Sequence, residues 1–192
     1  AAAEELQLAG TLDNLRLFRL IQLLRRLGTR QPDMRFFCNL GLFSMQDEEF
    51  FPQFVDFMLA SPEFAGRMVF EISQADLMHL PRDVADKLQT LGRRGFGFCL
   101  DQVENLDQLD LGWLEKHFFR FVKIDWRYLL DAFGDAEVGL YIQRLRSKGL
   151  QLIAARIETE EQAISIAETG LELAQGYIYG QPAVSQHFAN QF

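Results

Sequence analysis

The stretch "RFVKID", residues 120–125, decides how the rest of the chain is read. Phe121, Val122 and Ile124 give it the apolar character of a buried strand. Lys123 and Asp125 stand two positions apart, and side chains alternate faces along a strand, so both charges point the same way. Two opposite charges on one face of an apolar strand are costly to bury unless they are paired or used. What they face depends on how the neighbouring segments are arranged.

Outward from this strand, apolar runs of strand length alternate with helical patterns. "MRFFCNL" (34–40), "RMVFEI" (67–72), "GFGFCLD" (95–101), "FRFVKID" (119–125), "LQLIA" (150–154) and "LELAQGYIYG" (171–180) read as strands. Between and before them lie helices. Residues 12–27 place Leu17, Leu20, Ile21 and Leu24 on one face, and Gly28 stops the run. "EEFFPQFVDFML" (48–59) puts Phe51, Phe54, Val55 and Met58 at helical spacing. "PRDVADKLQTLGRRG" (81–95) opens on Pro81 and ends in glycine. A short helical stretch near 106–116 and a helix near 135–148 follow, and "TEEQAISIAETG" (159–170) opens with a capping box from Thr159 to Gln162. Strands that alternate with helices imply an α/β fold of parallel strands joined by right-handed crossovers. Such strands are buried on both faces, which fits their near-continuous apolar character.

The bulk numbers narrow the function. The chain has 192 residues, length for one domain spanning residues 1–192 with a sizeable core. Its formal net charge is −8, which argues against a dedicated DNA binder with a basic stripe. Cys38 and Cys99 each sit in an apolar run and read as core fillers of a reduced compartment, not as a disulfide framework. No apolar run approaches a membrane span, and no signal peptide is visible. The chain is expected to be cytoplasmic, with any membrane tether in an upstream segment. The 18 phenylalanines are an unusually high count. Phe50, Phe51, Phe54, Phe57 and Phe64 cannot all share one helix face, so most are expected in the core and some in an exposed interaction surface. The terminal "SQHFANQF" is a second candidate surface, and His79, His117 and His187 carry no assigned function.

Polar residues close every strand. Asn39 ends the first, Glu71 lies near the end of the second, and Asp101 ends the third. Lys123 and Asp125 close the fourth, Arg156 and Glu158 follow the fifth, and Gln175 lies in the sixth. If the strands are parallel, these groups gather at one rim, where a (β/α)-barrel keeps its site. Any one acid at a strand end more often just caps the next helix. Six strands in a row favour a site. Its oxygen-rich donors suit Mg²⁺, Mn²⁺ or Ca²⁺ and not zinc, and no zinc spacing, P-loop, nucleophile elbow or dinucleotide fingerprint is present.

In order and with fitting spacing, these segments resemble the EAL-domain family, bacterial cyclic-di-GMP phosphodiesterases. "CNLGL" resembles the strand carrying a metal-binding Asn, here Asn39. "FEISQADL" is similar to E-L-T-E-S, with Glu71 as the metal ligand. "GFCLDQVENLDQL" is similar to D-D-F-G-T-G-Y-S-S-L, "FVKID" to the K-I-D signature, "LIAARIETEEQ" to A-E-G-V-E-T-E-E-Q, and "LAQGYIYGQPAV" to Q-G-Y-L-F-G-R-P, which places the family's Gln at Gln175. The resemblance implies a (β/α)8 TIM-barrel-like fold with one antiparallel strand, here without the first two strands and their E-A-L motif.

Departures from the pattern matter as much. The second Asp of D-D-F-G is Gln102, and the glycine two positions on is Glu104. The second Glu of E-x-T-E, which steadies the glycine-rich loop in the family, is Gln74. The Glu of A-E-G-V-E, the proposed general base, is Ala155, and the glycine after it is Arg156. Phosphodiester hydrolysis of this kind needs two cations to activate water and balance phosphoryl charge. Ala155 takes no proton, and losing a positioned acid–base group typically costs ~10²–10⁴-fold in rate. The expected function is therefore an impaired, non-enzymatic domain that receives cyclic-di-GMP and signals to a protein partner. Its expected ligand residues are Asn39, Glu71, Asp101, Lys123, Asp125, Arg156, Glu158 and Gln175. Retained metal ligands would be Asn39, Glu71 and Asp101, with Mg or Mn engaged only if activity persists. A homodimer is a further option, and DNA is not an expected partner. Two alternatives stay open: a scaffold acting only through protein contacts, and a weak metal-dependent phosphodiesterase. For Lys123 and Asp125 the plain alternative is a structural ion pair at the barrel mouth.

Overall fold

A computed structural model of the protein describes residues 2–27 and 33–181. Gly28, His187 and the segment "SQHFANQF", all named above, lie outside the described residues. The chain forms two compact units, one holding the described residues up to Phe98 and the other those from Cys99 onward.

In the first unit, α1 (Ala2–Leu27) packs on β1 (Phe36–Asn39) and on the short α2 (Leu42–Gln46). The helix buries Leu17, Ile21 and Leu24, the stripe expected from their spacing. α3 (Phe50–Leu59) follows, then β2 (Met68–Ser73), which pairs in parallel with β1 in the register Phe36 to Met68 and Asn39 to Glu71. α4 (Gln74–Met78) is capped by the Ser73 hydroxyl, which accepts from the Asp76 N–H, and α5 (Arg82–Arg93) starts after Pro81. Aromatic rings form the core here. Phe54 meets Phe70 edge-on with centroids 5.2 Å apart, and Phe70 lies 6.1 Å from both Phe96 and Phe98. Full burial of such a ring contributes about 1.5–3 kcal/mol. Of the crowded phenylalanines, Phe51, Phe54 and Phe64 are buried and Phe57 is exposed. The boundary between the units falls within β3 (Gly97–Asp101).

The second unit continues with α6 (Leu111–Lys116), β4 (Phe119–Asp125), α7 (Trp126–Ser147), β5 (Gln151–Ala155), α8 (Glu160–Glu168) and β6 (Leu173–Ala174). β4 pairs in parallel with β5, and β5 with β6. α7 packs on β4 and β5, burying Leu129, Val138, Ile142 and Leu145. α8 carries the expected capping box, with Thr159 and Gln162 each accepting from the other's backbone region. The α/β class and parallel pairing follow the sequence reading.

Several elements differ from it: the short α2 and α4 were not expected, and α6 begins at Leu111. The helix expected near 135–148 begins at Trp126, directly after β4, because Asp125 caps it by accepting from the Arg127 N–H at 3.0 Å. α1 runs 26 residues instead of the expected 12–27. Only Leu173–Ala174 of "LELAQGYIYG" is strand. After it, the Gln175 carbonyl accepts from Ile157 N–H at 3.1 Å, and Tyr177–Tyr179 turns as a 3₁₀ helix. No helix among the described residues is long and apolar enough to cross a membrane.

Gly176 runs so close to Ile157 that an added β-carbon would collide with that residue's backbone N, C and O. Gly176→Ala is therefore expected to destabilise the protein by about 1–3 kcal/mol, as overpacking does. Gly139, inside α7 with open space around it, is the control. Gly139→Ala is expected to raise stability by about 0.5–1 kcal/mol, read by denaturant unfolding. The thiols give a second expectation. Cys38 and Cys99 are free and buried. Burial, with the Asp13 and Glu71 carboxylates behind it, pushes the Cys38 thiol up to about 12. Native protein should not react with Ellman's reagent at mildly alkaline pH, and both thiols should titrate in concentrated guanidinium.

Candidate functional site

The carboxyl ends of the strands in the second unit surround a cavity of about 390 Å³, within the range of small-molecule sites. Asp101 is the last residue of β3, Asp125 of β4 and Ala155 of β5, with Asp125 in register with Ala155. All three line the cavity, together with Glu104, Lys123, Tyr128 and Arg156. Lys123 and Asp125 share a strand face, as alternation requires.

Each of those two charges meets a partner at or just past the end of a neighbouring strand. The Lys123 ammonium lies 3.8 Å from Asp101 Oδ2, its side chain only 8% exposed. Asp125 Oδ2 accepts from the Arg156 guanidinium at 3.2 Å, and that side chain is 75% exposed. The contrast separates two kinds of bond. A buried lysine that loses its carboxylate leaves an uncompensated charge in the interior, costing about 3–5 kcal/mol. An exposed pair such as Arg156 with Asp125 contributes roughly 0–1 kcal/mol. Arg156 is thus a cation held lightly at the rim, and Lys123 is fixed.

The remaining carboxylate oxygens are engaged locally. Asp125 Oδ1 caps α7, so the helix-capping alternative for a strand-end acid is realised here, alongside its place on the cavity. Asp101 Oδ1 accepts from the Gln102 N–H at 2.8 Å. Gln102 and Arg156 both adopt left-handed backbone, with φ of 50° and 64°. These are two of the positions where the chain departs from the family pattern, and at Arg156 that pattern has glycine. For a residue with a β-carbon this conformation costs roughly 1–2 kcal/mol.

The other expected residues lie apart from the cavity lining. In the second unit, Glu158 is exposed just before α8, its N–H donating to Gln162 Oε1 at 2.7 Å. Gln175 is exposed, and its N–H donates to the Ala154 carbonyl at 2.8 Å. In the first unit, Asn39 at the end of β1 stands in register with Glu71 near the end of β2, and the Leu40 N–H donates to the Glu71 carbonyl at 2.9 Å. Beyond Asn39, buried Asp13 from α1 accepts from Gly41 N–H at 3.1 Å and Ser44 hydroxyl at 2.8 Å, and pairs with Arg16 at 3.3 Å. That clamp was not visible in the sequence, because Asp13 lies 28 residues from Gly41. Glu104 and Tyr128 were also missed as lining residues. The signal for Tyr128 was its place three residues after Asp125, one helical turn on, and it becomes readable once α7 is known to start there.

The resemblance implies divalent cations at the strand ends. Among the described residues, no group of three or more His, Cys, Asp or Glu side chains is disposed to hold a metal ion. Around the cavity, Asp101 and Asp125 face side-chain cations, and Ala155 offers no donor.

A stability test follows from the strained rim. Arg156→Gly removes a left-handed penalty of roughly 1–2 kcal/mol and forfeits an exposed ion pair worth roughly 0–1 kcal/mol. The variant is expected to be about 0.5–1 kcal/mol more stable than the native chain, measured by denaturant unfolding.

A family model described as the EAL domain matches residues 1–182. The chain is 25% identical over 129 residues to the cyclic di-GMP phosphodiesterase RocR of Pseudomonas aeruginosa, a match covering 63% of this chain and 32% of RocR. It thus spans about a third of the length of the curated relatives it matches. The solved EAL domain of Mycobacterium smegmatis DcpA superposes with a TM-score of 0.74 at 18% identity, covering 96% of this chain and 84% of that one. The FimX EAL domain of Pseudomonas aeruginosa, bound to c-di-GMP, superposes with a TM-score of 0.71 at 21% identity, covering 95% and 74%. The K-I-D strand with its lysine and aspartate on one rim, the parallel α/β fold and a match over nearly the whole chain agree, and the chain belongs to the EAL domain family.

Proposed function

We propose that this EAL domain is a cyclic-di-GMP receptor, catalytically impaired, that passes ligand binding to a protein partner. The observation that carries this reading is the end of β5. Ala155 lies on the cavity where the family pattern has its general base, and Arg156 stands beside it with an exposed guanidinium. A positioned base contributes ~10²–10⁴-fold to a rate, and alanine contributes none of it.

Arg156 supplies what a receptor needs. Its bond to Asp125 is weak because it is solvated, so a phosphate can take the guanidinium over at small cost and hold it in bidentate fashion. Fixed pairing of Lys123 with Asp101 lowers the negative potential that a doubly anionic nucleotide would meet. In this reading Asp101, Lys123, Asp125 and Arg156 contact the ligand from the cavity. That the FimX domain was solved bound to c-di-GMP supports cyclic-di-GMP as the ligand. RocR, named as a phosphodiesterase, favours the second reading, a slow metal-dependent hydrolase, which the same experiment distinguishes.

The test is calorimetric titration of cyclic-di-GMP, first with EDTA and then with Mg²⁺, followed by chromatography of the nucleotide. Saturable binding in EDTA with intact nucleotide is expected, weakened about tenfold or more by Arg156→Ala. Linear dinucleotide formed only with Mg²⁺ would establish the hydrolase. No heat in either buffer would sink both and leave a scaffold acting through protein contacts.

A further inference from the structure

We propose that Tyr128 is a positioning residue for the cavity, holding the segment after β3 as a wall and thereby setting how closely the site fits its ligand. For the ligand's identity this rests on the receptor reading. The wall itself does not depend on it.

Gln102, Val103 and Glu104 line the cavity without secondary structure of their own, since residues 102–110 form neither helix nor strand. The segment leaves β3 through the left-handed Gln102 and contains no glycine before Gly112. At its start it is held by Gln102 N–H donating to Asp101 Oδ1. Further along, the Leu106 N–H donates to the Tyr128 hydroxyl at 3.3 Å, a part-buried bond between residues 22 apart. An Asx turn, Asp107 N–H to Asn105 Oδ1 at 3.0 Å, tightens the stretch beside it. Tyr128 lies in the first turn of α7, and the same turn is capped by Asp125, which holds Arg156. One helical turn therefore carries two grips on the cavity: Asp125 on the β5 side and Tyr128 on the β3 side. A strained residue persists only where its surroundings over-determine it: Asp101 grips the wall at Gln102, and the Tyr128 hydroxyl grips it further along at Leu106.

Tyr128→Phe removes the acceptor and keeps the ring. Three readouts separate positioning from plain structure: amide exchange at Leu106, cyclic-di-GMP affinity by calorimetry, and thiol labelling of Ala155→Cys. The last is clean because native Cys38 and Cys99 are buried. Expected results are at least tenfold faster exchange at Leu106, roughly three- to tenfold weaker affinity, and several-fold faster labelling of Cys at 155, with the melting temperature unchanged. Unchanged Leu106 exchange overturns the proposal. So does faster exchange with labelling and affinity both unaltered, and so does a fall in melting temperature large enough to account for the labelling. If the native chain takes no nucleotide while exchange and labelling both respond to Tyr128→Phe, the receptor reading fails and the positioning role stands.

Discussion

A lysine ammonium almost wholly removed from water inside β4 has to meet a carboxylate, and in this chain the carboxylate comes from the end of β3. Much of the second unit is arranged around that requirement. Asp101 gives one oxygen to Lys123, so its other oxygen turns to the backbone of Gln102 and bends the chain there through left-handed conformation. The same strand face brings Asp125 to the rim, where it stabilises the start of α7 and draws Arg156 across from β5. Parallel strands buried on both faces leave few places for charge, and these charges collect where the strands end.

Set against the family pattern that the sequence resembles, the proposed site departs by subtraction at one position and addition at the next. In the receptor reading, Ala155 stands where the family pattern has a group able to move a proton, and Arg156 adds a cation at the cavity edge. Neither change disturbs the pairing of β4 with β5, since both lie at or past the last rung of the ladder. A barrel scaffold tolerates such exchange because strand cores carry stability and the carboxyl ends carry chemistry.

How much of this was legible beforehand depended on the range of the physics involved. Strand and helix types followed from periodicity, and the capping box at Thr159 was read correctly because it is a bond between near neighbours. The gathering of Asp101, Lys123, Asp125 and Arg156 around one cavity followed from the parallel strand rule. Pairing partners were not legible. Sequence suggested Lys123 beside Asp125, yet each meets a charge from a different strand, since cross-strand register is not encoded in the local pattern. The start of α7 was missed because Asp125 reads equally as a strand end and as a cap. The "GYIYG" turn was missed because its apolar residues imitate a strand, and the close approach of Gly176 to Ile157 belongs to packing alone. Asp13 and Tyr128 act over 28 and 22 residues of chain, beyond the reach of any motif.

The left-handed backbone at Arg156 has a consequence for how such a domain drifts over generations. Every arginine codon lies a single base from a glycine codon, so glycine at this position is always one mutational step away. Where a guanidinium at the rim brings nothing, that step relaxes the chain and is kept. If the receptor reading holds, arginine is kept for its charge at a position whose backbone favours glycine, and a domain released from the ligand is expected to take glycine there before its core changes.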